Sequence, residues 1–551
     1  MVMKKAFIYG GEVKEFEAGE SIFDILSCKK DINQPLIAIV DGKEVVDLSK
    51  RIHCNVSIKP IGMDNSLGAK AYLRTLTFVL IRAVKHLYPN ARVVIKHTLN
   101  KGLYGEIDNI EDLNDSIIKE IKDKMCEFIE NDEEIEKIRV KKYEAQKIFT
   151  QYNMKDKLRL LKHLELPYIS LYKCKEFYDY FYGAMLSSTG YLKVFDLLNY
   201  SGGFILMSPK ESTGGKLPKF RDVPKLAKVF EETKNIASVL DVADVGALND
   251  KVESGEIKDL ILVSEALHEK KIGEIADKIY EDRNKIKIVA IAGPSSSGKT
   301  TFSKRLSIQL RILGFNPYAI SIDDYFVNRD KTPRDEDGQY DFESINAVDV
   351  NLFNSHLSIL LSGGEINLPK FDFLKGERTD SGKKFRLKDN TIIIIEGIHG
   401  LNEVLTKSIP RENKFKIYIS ALTQLNIDDH NRMSTTDVRL LRRMIRDHAT
   451  RGRSAEITIQ GWPSVRRGEG KNIFPYQEEA DAMFNSTVIY EMSILKKYAE
   501  PLLEEISEDS LNYIEARRLI DVISYFKVAK GDNIPPNSII KEFIGESCFE
   551  H

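Results

Sequence analysis

The stretch Gly293-Pro294-Ser295-Ser296-Ser297-Gly298-Lys299-Thr300-Thr301 carries two glycines, a lysine and a hydroxyl residue at GxxxxGK[ST] spacing. Residues in this pattern cradle phosphate. Gly293 and Gly298 let the backbone turn its N–H groups inward, so that Ser295, Ser296 and Ser297 form an anion nest at a helix N-terminus. Lys299 is then placed for the β and γ phosphates of ATP, with the Thr300 hydroxyl as a Mg²⁺ ligand and Thr301 closing the loop. The setting agrees, because the apolar run Ile286 to Ala292 precedes the loop and a helical stretch follows it to Leu313, stopping at Gly314.

Two further strand ends bring carboxylates to this place. The run YAISID ends in Asp323 and Asp324, and in a parallel sheet C-terminal strand ends face the ligand crevice. One of the pair can accept a proton from an attacking hydroxyl or hold Mg²⁺, and the spacing leaves open which. The second strand, Thr391 to Ile395, ends in Glu396, a candidate Mg²⁺ ligand because a carboxylate after four isoleucines is costly unless it faces a polar site. Arg439, Arg443 and Arg446 share one face of a predicted helix, with Arg451 and Arg453 just beyond. Stacked like charges repel unless an anion sits among them, and arginines on a closing lid stabilise a transferring phosphoryl group.

The elements around these residues divide the chain into four parts. Residues 1–62 read as a small β-rich module with a turn at Asp41-Gly42. Residues 63–208 open with a helix over 69–86, return to a strand at ARVVIKHT and end near SGGFILMS. A Gly/Pro-broken segment and two helices, 209–283, form a helical connector. Residues 284–551 alternate strands (IKIVAIA, YAISID, TIIIIEG, FKIYIS, STVIY) with helices, the pattern of a doubly wound parallel sheet, and finish on the helical LNYIEARRLIDVISYF. The fold class expected is multidomain, α/β and α+β.

Composition adds bounds. The 551 residues exceed one ordinary core. With 81 basic against 83 acidic residues the net charge is -2, so the whole-chain charge does not demand a nucleic-acid partner. Five cysteines without CxxC spacing argue against a disulfide framework and a zinc ribbon. The first residues lack an apolar signal region and no apolar run approaches the ~20 residues that cross a bilayer, so a cytoplasmic protein without a membrane partner is expected.

Residues 284–505 resemble the uridine kinase and phosphoribulokinase family, through GPSSSGKTT, SIDDYF, YDFESINAVD, LPKFDF, IIEGI and RRMIRDHATRGR in family order. The resemblance implies Mg-ATP as phosphoryl donor and a nucleoside-like hydroxyl acceptor. It implies Asp323 as catalytic carboxylate, with Lys299 and Arg446 beside it, and Glu396 near Mg²⁺. Glu343, Phe371 and Arg443 fall at the acceptor, and Arg451 and Arg453 at the ATP lid. It also implies a homo-oligomer. The chain departs where uridine kinases place a base-reading histidine after FDF, having Lys375-Gly376-Glu377 instead, and its lid runs on as Trp462-Pro463-Ser464-Val465-Arg466-Arg467-Gly468-Glu469. Loss of a hydrogen-bonding reader removes discrimination by roughly 10⁴-fold in favourable cases, so uridine specificity does not carry over.

Residues 1–62 resemble the β-grasp TGS domain that opens threonyl-tRNA synthetases, and 69–205 resemble the editing-associated domain of the same enzymes, through AVKHLYPNARVVI, KGLYGEID, KKYEAQKIF and SSTGYLKVFDLL. This resemblance implies contact with tRNA. Such editing domains carry a zinc-type HxxxH, Cys and His set, whose positions here hold Arg74, Phe78, Phe181 and Met185. Arginine is always protonated and phenylalanine offers no donor, so no zinc and no aminoacyl-ester hydrolysis are expected. An alternative to the kinase reading follows: an ATP-gated tRNA-binding or regulatory protein.

Overall fold

The computed structural model describes residues 3–335, 338, 340–372, 375–423 and 425–549; Phe373 of the FDF motif lies outside them. Alternating apolar residues in the first 62 positions build one five-stranded sheet. Its strands are β1 (Met3–Ile8), β2 (Glu12–Glu17), β3 (Ile37–Val40), β4 (Glu44–Asp47) and β5 (Val56–Ile61), in the order β2-β1-β5-β3-β4. Helix α1 (Ile22–Leu26), capped by Ser21, lays Ile22 and Ile25 on a core with Ala6, Phe16 and Ile58.

The next part is organised by α2 (Ser66–Leu87), capped by Asn65 and buried along Leu76, Phe78, Leu80 and Val84. Strands β6 (Arg92–Leu99) and β7 (Gly102–Asp108) form a hairpin, followed by α3 (Asp115–Glu130), β8 (Glu136–Lys141), α4 (Lys142–Gln151) and α5 (Lys155–His163). Strands β9 (Tyr168–Cys174) and β10 (Phe177–Asp179) join β8 in one sheet. Strands β11 (Asp196–Tyr200) and β12 (Gly203–Met207) join the hairpin in a second, ordered β11-β12-β7-β6. The four positions matched to a zinc set are neighbours in space. Phe78 and Phe181 meet with ring centroids 6.2 Å apart, Met185 is fully buried, and Arg74 donates to the Ala184 carbonyl and lies over the Tyr182 ring.

Helices α6 (Pro224–Val239), α7 (Val245–Ser254) and α8 (Ile257–Glu281) follow. The parallel sheet then begins with β13 (Ile288–Ala292), α9 (Lys299–Ile312), β14 (Asn316–Ser321) and α10 (Val350–Leu361). An antiparallel ribbon of β15 (Glu365–Asp372) and β16 (Glu377–Arg386) interrupts it, after which β17 (Thr391–Glu396) and β18 (Lys414–Ser420) return to the sheet. Helices α11 (Thr435–Arg451) and α12 (Ala455–Asn472) precede β19 (Ala482–Asn485), and α13 (Glu491–Glu504), α14 (Tyr513–Ser524) and α15 (Lys541–Ile544) complete the chain. The strand order is β14-β17-β13-β18-β19, all parallel. Isoleucines fill both faces: Ile392 and Ile394 face α9 and α8, while Ile393 and Ile395 face α10. Helix α8 thus lies on the sheet, contributing Ile272, Ile275 and Ile279 to its core.

One strand differs from its sequence reading. The last sheet strand is Ala482–Asn485, and STVIY is the turn leading into α13, with Val488, Ile489 and Tyr490 buried against the C-terminal helices. An apolar run of that length packs equally well in a turn under helices as in a strand. The two halves of the chain are joined by a buried ionic cluster. Lys157 on α5 lies 2.8 Å from Asp428 and 3.4 Å from Asp179, and His430 Nδ1 lies 2.7 Å from Asp179. Among the described residues no helix is long and apolar enough to cross a membrane.

Candidate active site

The loop between β13 and α9 adopts the nest its sequence calls for. Ser296 and Gly298 take left-handed conformations (φ 59° and 81°), and Lys299 begins the helix. Lys299 folds back over the loop, its Nζ donating to the Gly293 carbonyl at 3.0 Å and the Pro294 carbonyl at 3.3 Å. Burial holds its pKa down, while Asp323, Glu396, Glu542 and Glu343 favour its charge. The Thr300 hydroxyl donates to Glu396 Oε1 at 3.3 Å, and the buried Glu396 Oε2 has no hydrogen-bond partner among the described residues.

The Asp323-Asp324 pair divides. Asp324 Oδ1 accepts from the Phe371 backbone N–H at 3.3 Å, which turns that carboxylate toward β15. Asp323 instead faces Lys299, Arg451 and Arg446, and burial raises its pKa against their pull. Glu343 comes to the same place from a different loop, and Gly468 of α12 packs so closely that a Cβ there would stand 2.3 Å from the Glu343 Cβ. Burial and the neighbouring Glu469 push the Glu343 carboxyl up to about 7. Burial likewise pushes Glu396 up to about 7. Phe371 is buried in the core edge-on to Phe326, with ring centroids 5.6 Å apart.

The arginines of α11 are answered by carboxylates. Arg442 is fully buried on Glu491, and Arg439 is fully buried on Glu469, donating also to the Ser295 carbonyl at 3.0 Å. Arg443 donates to the Ser295 hydroxyl at 2.9 Å. Asp447, which the sequence reading gave no role, gathers Arg443, Arg446 and Arg451 at 3.4, 2.8 and 3.4 Å. Arg453 is exposed, its backbone N–H bonded to the Asp447 carbonyl.

Two residues without any expected role sit on the loop itself. Glu469 of α12 accepts from the Ser295 N–H at 3.1 Å. Glu542 of α15 accepts from the Thr301 N–H at 3.1 Å and from its hydroxyl at 2.8 Å. Beside it, Ile539 lies 2.5 Å from where a Gly298 Cβ would be, and the Phe543 ring lies under the Arg442 guanidinium at 4.8 Å. These carboxylates occupy one N–H of the loop and one of the first turn of α9, donors of the kind a phosphate also uses. Their separations from the loop, 174 and 241 residues, hid them from any local motif.

The donor set suits a hard cation: a hydroxyl and a carboxylate in contact, an orphaned buried carboxylate oxygen and a second carboxylate nearby are all oxygen ligands of the kind Mg²⁺ takes. A separate group, His163, Asp250 and Glu253, is drawn together on α5 and α7, but Arg159, Lys162 and Lys527 already pair with its carboxylates.

Comparison with known proteins divides the chain as the folds do. The chain is similar to the threonine–tRNA ligase of Clostridium kluyveri, 29% identical over 241 residues, covering 42% of this chain and 38% of that protein. It is likewise similar to the threonine–tRNA ligase of Acetivibrio thermocellus, 28% identical over 204 residues, covering 37% of this chain and 32% of that one. The chain therefore spans well under half the length of these relatives. A solved chain described as a possible uridine kinase from Bacillus stearothermophilus is 19% identical, covering 38% of this chain and 98% of that chain with a TM-score of 0.26. Residues 288–492, from the loop strand through the arginine helix to the start of α13, match the Phosphoribulokinase / Uridine kinase family, which follows a part similar to threonine–tRNA ligases.

Proposed function

We propose that the chain is an ATP-dependent kinase that transfers the γ-phosphoryl group to a hydroxyl of a nucleoside or related small molecule. The observation that carries this is the convergence of Asp323 and Glu343 on Lys299 at the mouth of the phosphate nest, which gives an acceptor hydroxyl two carboxylates next to the phosphate to be attacked. A nest that only bound or hydrolysed nucleotide would not need two buried carboxylates beside its lysine.

In this reading the N–H groups of residues 295–301 and the Lys299 ammonium hold the phosphates. Asp323 takes the proton as the acceptor oxygen bonds to the γ phosphorus and the bond to the β,γ-bridging oxygen breaks. Its raised pKa suits that role, because the proton passes to a carboxylate that burial has made more basic. Arg443, Arg446 and Arg451, aligned by Asp447, stabilise the charge spread over the transferring oxygens. Thr300 and Glu396 would hold Mg²⁺, which supplies Lewis-acid polarisation of the phosphates when bound. Glu343 orients the acceptor by accepting from its hydroxyls.

The test is a transfer screen with labelled ATP across nucleosides, sugars and related alcohols. Transfer to at least one acceptor is expected, and ATP hydrolysis without transfer to any of them would overturn the reading.

The similarity to threonine–tRNA ligases favours a second reading, in which residues 1–208 grip tRNA and the nucleotide site gates that contact. It predicts tRNA binding that weakens steeply with salt. Failure of the full chain to retain bulk tRNA at low salt removes it.

A further inference from the structure

Behind α12, on the side away from Glu343, lies a cavity of ≈ 910 Å³ between the β6–β7 hairpin, the segment leading to α6, and the start of α11. Residues 466 and 470 of α12 face this cavity, while Gly468 packs on Glu343, so the helix separates the two spaces. Six cations line it: Lys101, Lys219, Arg221, Arg432, Arg439 and Arg466. The lining carboxylates do not answer them. Glu478 accepts from the Lys225 and Leu226 N–H groups and caps α6, and Asp222 accepts from the Tyr200 hydroxyl at 2.5 Å.

Within the described residues Lys101, Lys219, Arg221 and Arg432 therefore have no ion-pair partner, although other arginines of the site are closely paired. Behind the wall stands Lys210, also without a carboxylate, its pKa pushed down to about 8 by burial and by Arg432. The N-terminus of the 17-residue α11 opens into the same space through Ser434, Thr435 and Thr436. Lys101, Lys219 and Arg221 are exposed around the opening, and Arg432 lies deeper with the Asp437 carboxylate near it. Like charges gathered around one cavity repel one another, and an anion bound among them relieves that repulsion. Phe230, Tyr418 and Phe474 add apolar wall, so the volume and lining suit a compact organic phosphate.

We infer that this cavity binds a small anion bearing two or more phosphate groups, at a site distinct from the phosphate nest and coupled to it through Glu469. The coupling is a shared carboxylate. Arg439 and Arg466 both hold Glu469, the latter at 3.1 Å, and Glu469 in turn occupies the Ser295 N–H. A phosphate on Arg439 and Arg466 competes for the cations that hold Glu469 over the nest, so filling the cavity frees a donor for ATP.

Trp462, the single tryptophan of the chain, stands 5.3 Å from the Arg439 guanidinium and reports on this junction. The experiment titrates full-length protein with inorganic tripolyphosphate, following Trp462 fluorescence and heat of binding, in a Lys299→Ala background that weakens the nest. Saturable binding with a Trp462 signal is expected. Lys101→Ala with Arg221→Ala, both exposed positions whose loss leaves the core intact, is expected to weaken it at least about tenfold, and Arg432→Ala likewise. Binding that is lost with Lys299→Ala alone, or that ignores the Lys101, Arg221 and Arg432 changes, overturns the inference. So does a Trp462 response to bulk tRNA with none to tripolyphosphate. Because the readout is binding in a nest-deficient protein, its failure leaves the kinase reading standing, and a failed transfer screen leaves this site standing.

Discussion

Glu542 on the last helix of the chain accepts from both the backbone N–H and the hydroxyl of Thr301, in the first turn of the helix that follows the phosphate nest. An ATP phosphate seated in the nest meets a carboxylate already bound to one of its donors. Glu542→Ala is therefore expected to tighten ATP binding by about tenfold, the order of one charge-assisted hydrogen bond. Calorimetry on wild type and variant decides it; equal or weaker binding in the variant means that Glu542 does not compete.

Asp323 and Asp324 are adjacent in sequence but differ in partners, and their variants should differ too. Asp323→Asn is expected to lower kcat by about 10²- to 10⁴-fold while leaving the ATP dissociation constant within about threefold, as loss of a proton acceptor does. Asp324→Asn, which keeps an oxygen for the Phe371 N–H, is expected to retain most activity. Equal losses at both positions would contradict this division of labour.

Glu343 and Glu396 make a prediction about pH and stability. Each has an ordinary carboxyl value of 4.5 when unfolded and about 7 when folded, so the folded state binds the proton more tightly. Stability without Mg²⁺ is fullest below 4.5 and declines as pH rises to about 7, by on the order of 3 kcal/mol for each group. Glu343→Gln keeps the shape without the charge, so its melting temperature is expected to exceed that of wild type at pH 8 and to match it near pH 4.5. A difference that does not grow with pH would refute the assignment.

Metal binding carries the same signature in reverse. A cation needs Glu396 deprotonated, so Mg²⁺ affinity in the presence of ATP is expected to fall about tenfold per pH unit below 7. Glu396→Gln should lose both the affinity and its pH dependence. Titration at pH 6, 7 and 8 measures this directly.

The parts of the site that a local pattern can encode were legible in the sequence. The nest, Lys299, Thr300 and the strand-end carboxylates Asp323 and Glu396 follow from one rule, that parallel strands deliver their C-terminal ends to a common edge. Glu469 and Glu542 were illegible because neither lies in a motif; each becomes a partner of the loop only when a distant helix folds onto it. The arginine helix was half legible. Its basic face was plain, but Asp447 sits in the same stretch and supplies the anion that the spacing called for. The final strand was displaced by four residues because STVIY is the more β-like run, whereas Asn485 of the true strand is recruited by the Leu422 amide and carbonyl.

The buried cluster of Lys157, Asp179, Asp428 and His430 bears on how this chain can be recombined. Asp428 and His430 belong to the loop between β18 and α11, while Lys157 and Asp179 belong to the part similar to threonine–tRNA ligases. A chimaera in which that part is exchanged for a homologous segment lacking either partner would strand a charge in the interior. Neither half can therefore be exchanged alone without cost, because Asp428 on one side is neutralised by Lys157 on the other.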